Sequence, residues 1–214
     1  MLHVPPAPAP ALRSVETALG SPTAVHDPRT APTLHAGSAL RAAAGQLRPQ
    51  LPLPVHEMTG IRRTADAPYT RLTGWRFHLH DSGTEGGEPV GAAEAVLTAD
   101  GWAFAHFCEG PYVTSSVRAL REAHTLPGGH QPRLLSVPEL YMLTLWLCED
   151  LDADPAEGSP SDADLLIPLA PAPPGIAAHQ PQRADALLAL LTHRLVTAPL
   201  SRPMTGTGDL ASAN

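Results

Sequence analysis

The sequence predicts an α+β fold, in which a small curved antiparallel sheet of three to four strands is covered by about three helices. Two observations predict it. Residues 69–108 alternate apolar and polar side chains, as strands do, whereas from residue 111 onward apolar side chains recur at helical spacing. The 214-residue chain is 43% hydrophobic. This content is sufficient for one core of ordinary domain size.

Residues 1–54 are predicted to form a proline-rich, largely irregular arm. They contain ten prolines, each of which removes a backbone donor and restricts the residue before it. The segment "ALRSVETALG" is compatible with a short helix that ends at Gly20, and "SALRAAAGQLR" is compatible with a second one that Ser38 would cap. A single globular domain is expected over residues 55–198, followed by a flexible tail at 199–214.

The first predicted strand is "YTRLTGWRFHLHD", in which Trp75, Phe77 and Leu79 alternate with polar side chains. A hairpin follows, because "GAAEAVLTADGWAFAHFCEG" has Asp-Gly between two apolar runs. A two-residue turn at Asp100 and Gly101 would pair Phe104 with Leu97. It would place His106 and Cys108 on the core side of the sheet.

Helices are predicted in three segments: "YVTSSVRALREAHT", "SVPELYMLTLWLCED" and "QRADALLALLTHRL". The second has the pattern of a capping box, with Ser136 as N-cap and Glu139 three residues later. It is apolar almost all round, so it is expected to be central. A short edge strand is predicted in "DLLIPLAP", where Pro168 excludes a central position.

The composition excludes several function classes. The net charge is −7, and all 14 basic residues are scattered arginines, so nucleic acid is not an expected partner. The absence of lysine indicates a high-GC bacterial source. No apolar run reaches the ~18 residues of a membrane span, and the first 20 residues lack a signal-peptide pattern. The protein is therefore expected to be cytoplasmic, with both cysteines reduced.

A candidate metal site lies at His78, His80 and Glu85. Alternate positions on a strand bring two imidazoles to one face, and a carboxylate beyond the turn can complete a triad with open positions. The eight-residue segment from His78 to Glu85, "HLHDSGTE", resembles the core of the first cupin motif. The resemblance implies a divalent metal bound by the three side chains. Apart from this metal, no cofactor is expected. The alternative is that both histidines lie on a solvated strand face.

Two further patterns have simple structural interpretations. His106 and Cys108 are two residues apart, but the predicted register turns them away from His78 and His80, so a buried histidine beside an inert core cysteine is expected. The acidic run after residue 148 imitates the start of a calcium loop. It has Pro155 where that loop needs glycine and Ser161 where it needs glutamate, which predicts a solvated loop.

Three functions are compatible with these features. Since no catalytic set converges, the leading expectation is a non-enzymatic protein-interaction or accessory protein whose arm helps to recruit an unidentified protein partner. The second is a metal-dependent small-molecule enzyme that uses His78, His80 and Glu85. The third is a small-ligand-binding domain with a cavity near Trp75, Trp102 and Phe104.

Overall fold

The computed structural model describes residues 1–21, 46–61, 68–83 and 86–197, apart from the side chains of 196 and 197. Within these ranges the chain forms helices α1 (Ala9–Leu19), α2 (Pro111–Thr125) and α3 (Ala184–Thr197) and a 3₁₀ turn at Pro138–Leu140. The strands are β1 (Leu47–Thr59), β2 (Tyr69–Asp81), β3 (Gly91–Thr98), β4 (Gly101–Cys108), β5 (Gln131–Val137), β6 (Met142–Cys148), β7 (Leu165–Pro168) and β8 (Gln182–Arg183).

All eight strands belong to one mixed sheet in the order β4-β3-β2-β1-β5-β6-β7-β8. Strands β1 to β4 form one antiparallel meander, and β5 to β8 form another. The two meanders meet at the parallel pair of β1 and β5. Helix α2 therefore belongs to the crossover that returns the chain from the edge strand β4 to the centre, as parallel pairing requires.

The predicted α+β class is confirmed, but the predicted small antiparallel sheet of three to four strands is wrong. The main error is in "SVPELYMLTLWLCED", which was predicted as a helix and contains β6. All seven residues of β6 are buried, because its alternate side chains pack toward α2 on one face and α3 on the other. A strand buried on both faces has a continuous apolar sequence that resembles a buried helix.

The described parts of the N-terminal segment, residues 1–21 and 46–54, contribute to the core and contain a helix and part of a strand, so they are not the irregular arm that the sequence predicts. The predicted boundary at residue 54 falls inside β1, a central strand. The helix predicted in "ALRSVETALG" is confirmed as α1, which packs Val15 and Leu19 against Trp75 and Phe77. The second predicted helical segment, "SALRAAAGQLR", lies outside the described residues as far as position 45, and its last two residues belong to β1. The predicted tail also lies outside them.

Among the prolines of β1, Pro52 lies where the pairing with β2 is irregular, whereas Pro49 and Pro54 pair with Leu79 and Trp75 on either side of it. The register shifts between Gln50 and Leu53, and Leu51 adopts a positive φ of 47°. Strand prolines are tolerated where the ladder is already interrupted. Proline content alone therefore does not exclude a central strand.

The predicted hairpin of β3 and β4 is present, but its register differs from the prediction. Thr98 pairs with Gly101, and Ala105 is an extra residue on β4, because Ala95 pairs with Phe104 while Glu94 pairs with His106. The bulge reverses the side-chain alternation along β4. His106 and Cys108 therefore face the side of the sheet opposite to Phe104.

Substitution of Gly74 tests how closely β2 and β3 approach each other within the sheet. It pairs with Val55 and Val96, and a Cβ added to it would lie 2.4 Å from the carbonyl oxygen of Ala95. The Gly74→Ala variant is expected to lose about 1–3 kcal/mol of unfolding free energy, the usual cost of overpacking. Urea unfolding measures this loss.

The matched control is Gly20→Ala at the end of α1, where an added Cβ would meet only carbonyl oxygens at 3.7 Å. Its unfolding free energy is expected to stay within about 0.5 kcal/mol of the parent value. Equal stability of the two variants would contradict the close approach of β2 and β3.

Candidate metal centre

Strands β2 to β4 carry a set of polar side chains on the sheet face that is turned toward α2. Cross-strand pairing aligns Arg76 with Glu94 and Glu94 with His106, and it places Cys108 in the neighbouring row opposite Ala92. The same strands present the aromatic side chains that pack against α1 on their other face. We call this set the polar face; its members are Arg76, His78, His80, Glu94, His106 and Cys108.

Three members of the polar face come close enough to share a metal ion. The ligand atoms of Glu94, His106 and Cys108 all lie within 4.8 Å of one another, and Glu94 Oε2 is 3.7 Å from His106 Nε2. The sequence prediction that His106 and Cys108 would point into the core, away from His78 and His80, is therefore wrong. The bulge at Ala105 brings them to the same face as the β2 histidines.

Arg76 fixes the orientation of the Glu94 carboxylate. Its Nε donates to Glu94 Oε1 at 2.7 Å, and its Nη2 lies 2.5 Å from the same oxygen. Both side chains are largely buried, with exposed fractions of 11% and 15%. Since Arg76 engages Oε1, the other oxygen, Oε2, is the one that faces His106.

The environment of Cys108 determines the state of its thiol. Burial raises the pKa of this thiol to about 12; the Glu94 carboxylate adds to the increase and Arg76 opposes it. The thiol is therefore protonated at neutral pH and is a poor nucleophile. A metal ion that binds here must displace the proton, as it does at other cysteine sites.

The donor set is typical of a particular class of metal. A sulfur, an imidazole nitrogen and a carboxylate oxygen together suit zinc better than magnesium or calcium, which prefer oxygen ligands alone. Zinc is usually tetrahedral. Three protein ligands would therefore leave a fourth position for water or another ligand.

The histidines of the sequence-predicted metal site have different surroundings. His78 is fully buried, and its Nε2 lies 2.8 Å from Ser116 Oγ. The Ser116 hydroxyl donates to the carbonyl of Val113, so His78 Nε2 is assigned as the donor of the first bond. His80 donates from Nδ1 to the carbonyl of Gly87 at 3.1 Å.

These contacts correct the expectation of a solvated strand face at His78, because α2 covers that part of the sheet. Glu85, the third predicted ligand, lies outside the described residues. The predicted metal set of His78, His80 and Glu85 therefore stays a prediction. Its two histidines lie on the same sheet face as Glu94, His106 and Cys108.

The residues of the predicted ligand pocket lie on the opposite face of the sheet. Trp75 is buried, and Trp102 and Phe104 are partly buried beside it. Helix α1 packs over this face through Val15 and Leu19. A ligand at this place would have to displace α1 or lie beside it.

Sequence reasoning missed a second polar region, which surrounds Arg133. This arginine is fully buried, and its guanidinium lies 4.7 Å from the ring centroid of Trp146. Both residues line a cavity of about 420 Å³, together with Asp164 and other residues of the acidic segment. The available signal was a lone arginine within the apolar stretch "PRLLSV".

The acidic segment forms a loop, as predicted, but several of its carboxylates accept hydrogen bonds within the protein instead of being fully solvated. Asp150 Oδ1 accepts from the amide of Asp152, and Asp154 Oδ1 accepts from the amide of Ala156. Asp164 accepts from Trp146 Nε1 at 2.8 Å and from the Glu149 amide at 2.9 Å. These bonds explain the aspartates as turn-forming residues.

A serine and a histidine also meet beneath α2. Ser115 Oγ is 3.3 Å from His179 Nε2 and accepts a hydrogen bond from the amide of Ala170. Both side chains are buried, so a substrate could not reach the hydroxyl without movement of the surrounding loop. The contact between Ser115 and His179 is explained by packing of the loop that contains Ala170 and His179 on α2.

None of the described helices combines the length and apolar character required to cross a membrane. Comparison of the chain with protein-family models, with curated proteins and with solved structures found no match.

Proposed function

We propose that this protein binds a zinc-class transition metal ion through Glu94, His106 and Cys108. The observation that carries the proposal is the mutual approach of the three ligand atoms to within 4.8 Å. Arg76 supports it, because a carboxylate ligand is commonly oriented by a hydrogen-bond donor outside the coordination sphere.

The proposed site is of the open type. Structural zinc sites are usually closed by four protein ligands, whereas three protein ligands with an exchangeable fourth position are typical of sites where zinc meets a substrate. The half-exposed His106 on the edge strand β4 leaves a route from solvent to the metal. The function that follows is binding of a small ligand at the metal, with metal-assisted chemistry on that ligand as its extension.

The first test is metal content. Tag-free full-length protein purified without chelator, and apo-protein titrated with zinc, are each expected to bind about one equivalent per chain. The cobalt-substituted protein is expected to show a thiolate-to-cobalt charge-transfer band, which reports coordination by Cys108. Folded protein that takes up neither metal would overturn the proposal.

Ligand variants locate the metal. His106→Ala and Cys108→Ser are each expected to weaken zinc binding by more than the roughly 10–100-fold that loss of a residue supporting a ligand costs. The control is His124→Ala, since His124 is an exposed histidine in the last turn of α2. The double variant His78→Ala/His80→Ala separates the two metal proposals. If this variant fails to bind zinc while Cys108→Ser binds zinc as tightly as the parent protein does, the sequence-predicted site is favoured.

The protein-interaction role expected from the sequence remains a separate prediction. A binding test for it requires the full chain. Deletion of residues 1–54 would remove α1 and much of the central strand β1, so lost binding would report unfolding.

A further inference from the structure

We infer that the ligand at the open metal position is a small oxyanion, a carboxylate or a phosphate, and that Arg76 supplies its counter-charge. The inference rests on the proposed metal site and names the ligand class of that site. Two observations carry it: the charge balance of the polar face and an unpaired donor on Arg76.

The charge balance follows from the ligand set. A divalent metal is neutralised by the Glu94 carboxylate and the Cys108 thiolate, while a neutral His106 adds nothing. Arg76 lies against Glu94 with only 11% of its side chain exposed, and it contributes one further positive charge. The loaded site therefore has a surplus positive charge in a partly dry setting, which favours an anion as fourth ligand.

The unpaired donor is Arg76 Nη1. The Nε and Nη2 of this guanidinium both approach Glu94 Oε1, whereas Nη1 is buried and has no hydrogen-bond partner among the described residues. A buried N–H group without a partner is unfavourable, and it is satisfied when a ligand oxygen accepts from it.

Geometry links these two observations. Nη1 and Nη2 share one carbon atom, and Nη2 is 2.5 Å from the carboxylate whose other oxygen faces His106. The guanidinium therefore lies against the carboxylate of the proposed site, with its Nε–Nη2 edge on Glu94 and Nη1 on the adjoining edge. A carboxylate or phosphate has at least two oxygens, so it can bind the metal with one and accept from Arg76 with another.

Anion titration of the cobalt-loaded full-length protein tests the inference. The probes are sodium acetate for carboxylates and inorganic phosphate for phosphates, with acetamide as the neutral analogue of acetate and constant ionic strength throughout. Saturable changes in the cobalt d–d spectrum with acetate or phosphate, but not with acetamide, are expected. The probe that binds more tightly identifies the anion class.

Arg76→Gln is expected to weaken anion binding about 10- to 100-fold, as loss of a charge-assisted hydrogen bond does. The matched control is Arg71→Gln, since Arg71 lies on the same strand in an exposed pair with Glu57 at 3.1 Å. It is expected to leave anion binding unchanged.

The possible failures are distinguishable. Absence of a cobalt spectrum in the parent protein would overturn the metal site itself. A normal spectrum that no oxyanion alters, or that acetamide alters as much as acetate, would overturn the inference and leave the metal site intact. If Arg76→Gln does not load metal, the comparison of acetate with acetamide on the parent protein still decides the outcome.

Discussion

Replacing Arg133 by methionine is expected to lower the free energy of unfolding by about 3 kcal/mol, although methionine is apolar and of similar length. Arg133 donates to Gln131 Oε1 at 2.8 Å and to the carbonyls of Asp154 and Glu157 at 3.0 and 2.6 Å. Methionine has no donor, so these acceptors lose their partner. The bond to Gln131 is buried and the two bonds to the loop are partly buried. A buried acceptor left unsatisfied costs about 1–3 kcal/mol, and the stacking on Trp146 is lost as well.

The expected damage is concentrated in the acidic loop, residues 149–164. Besides Arg133, His56 Nε2 donates to the carbonyl of Pro155 at 2.9 Å, and the Thr70 hydroxyl donates to the carbonyl of Gly158. Removal of Arg133 should therefore loosen this loop before the sheet opens. Hydrogen exchange of the loop amides and urea unfolding measure the two effects separately.

The control is Arg183→Met, because Arg183 forms an exposed pair with Asp185 at 3.2 Å. Exposed pairs contribute little to stability because water screens them, so little change in stability is expected. If the two methionine variants unfold at the same urea concentration, Arg133 does not hold the loop.

Elements with strong local signals could be predicted from the sequence. Helices α1, α2 and α3 each have apolar side chains at helical spacing, and α2 begins at a proline. Strand β2 alternates along Trp75, Phe77 and Leu79. The Asp-Gly pair correctly indicated a hairpin. In each case the signal lies within a dozen consecutive residues, so neighbouring elements are not needed to interpret it.

The sheet could not be predicted, because its assembly depends on contacts that are distant in sequence. The pairing of β1 with β5 joins Val55 to Leu134, and no local pattern encodes a parallel neighbour. Strand β6 is apolar at every position except Thr144, as expected of a strand that helices cover on both faces. That burial is a consequence of the fold and cannot be read from β6 alone.

The candidate metal site was missed because of a single residue. In the predicted hairpin, the partner of His106 is Ala95. In the structure, Ala105 is an extra residue on β4, and the partner of His106 is therefore Glu94. A shift of one residue moves a side chain to the other face of a sheet. Both positions on β4 carry side chains that can bind a metal, but their convergence with Glu94 depends on the bulge.

The buried imidazole of His78 is expected to make the protein less stable in acid. Burial, together with the neighbouring Arg76 and His80, lowers its pKa from 6.5 to about 4. In the unfolded chain the ring protonates near pH 6.5, whereas in the folded protein it stays neutral until about pH 4. The unfolded state thus binds more protons between these values. Folding stability therefore decreases as the pH falls from 6.5 to 4, by about 1.4 kcal/mol per unit and about 3 kcal/mol in total.

Urea unfolding of metal-free protein between pH 7 and pH 4, in the presence of a chelator, measures this dependence. The comparison variant is His78→Gln, which retains a donor for Ser116 but does not titrate. The pKa values of His56 and His179 are also lowered, and these residues are present in both proteins, so their contributions cancel in the difference. The stability curves of the two proteins should therefore diverge by about 3 kcal/mol as the pH decreases.

Direct titration of the His78 ring by NMR in the parent protein provides an independent reading that does not depend on a variant. A solvated strand face, as the sequence suggested, requires the ring to titrate near its ordinary pKa of about 6.5. Burial beneath α2 requires it to remain neutral to about pH 4. Titration near 6.5, or parallel stability curves for the two proteins, would show that α2 does not seal this part of the sheet. Helix α2 would then pack less tightly on the polar face than the hydrogen bond between His78 and Ser116 implies.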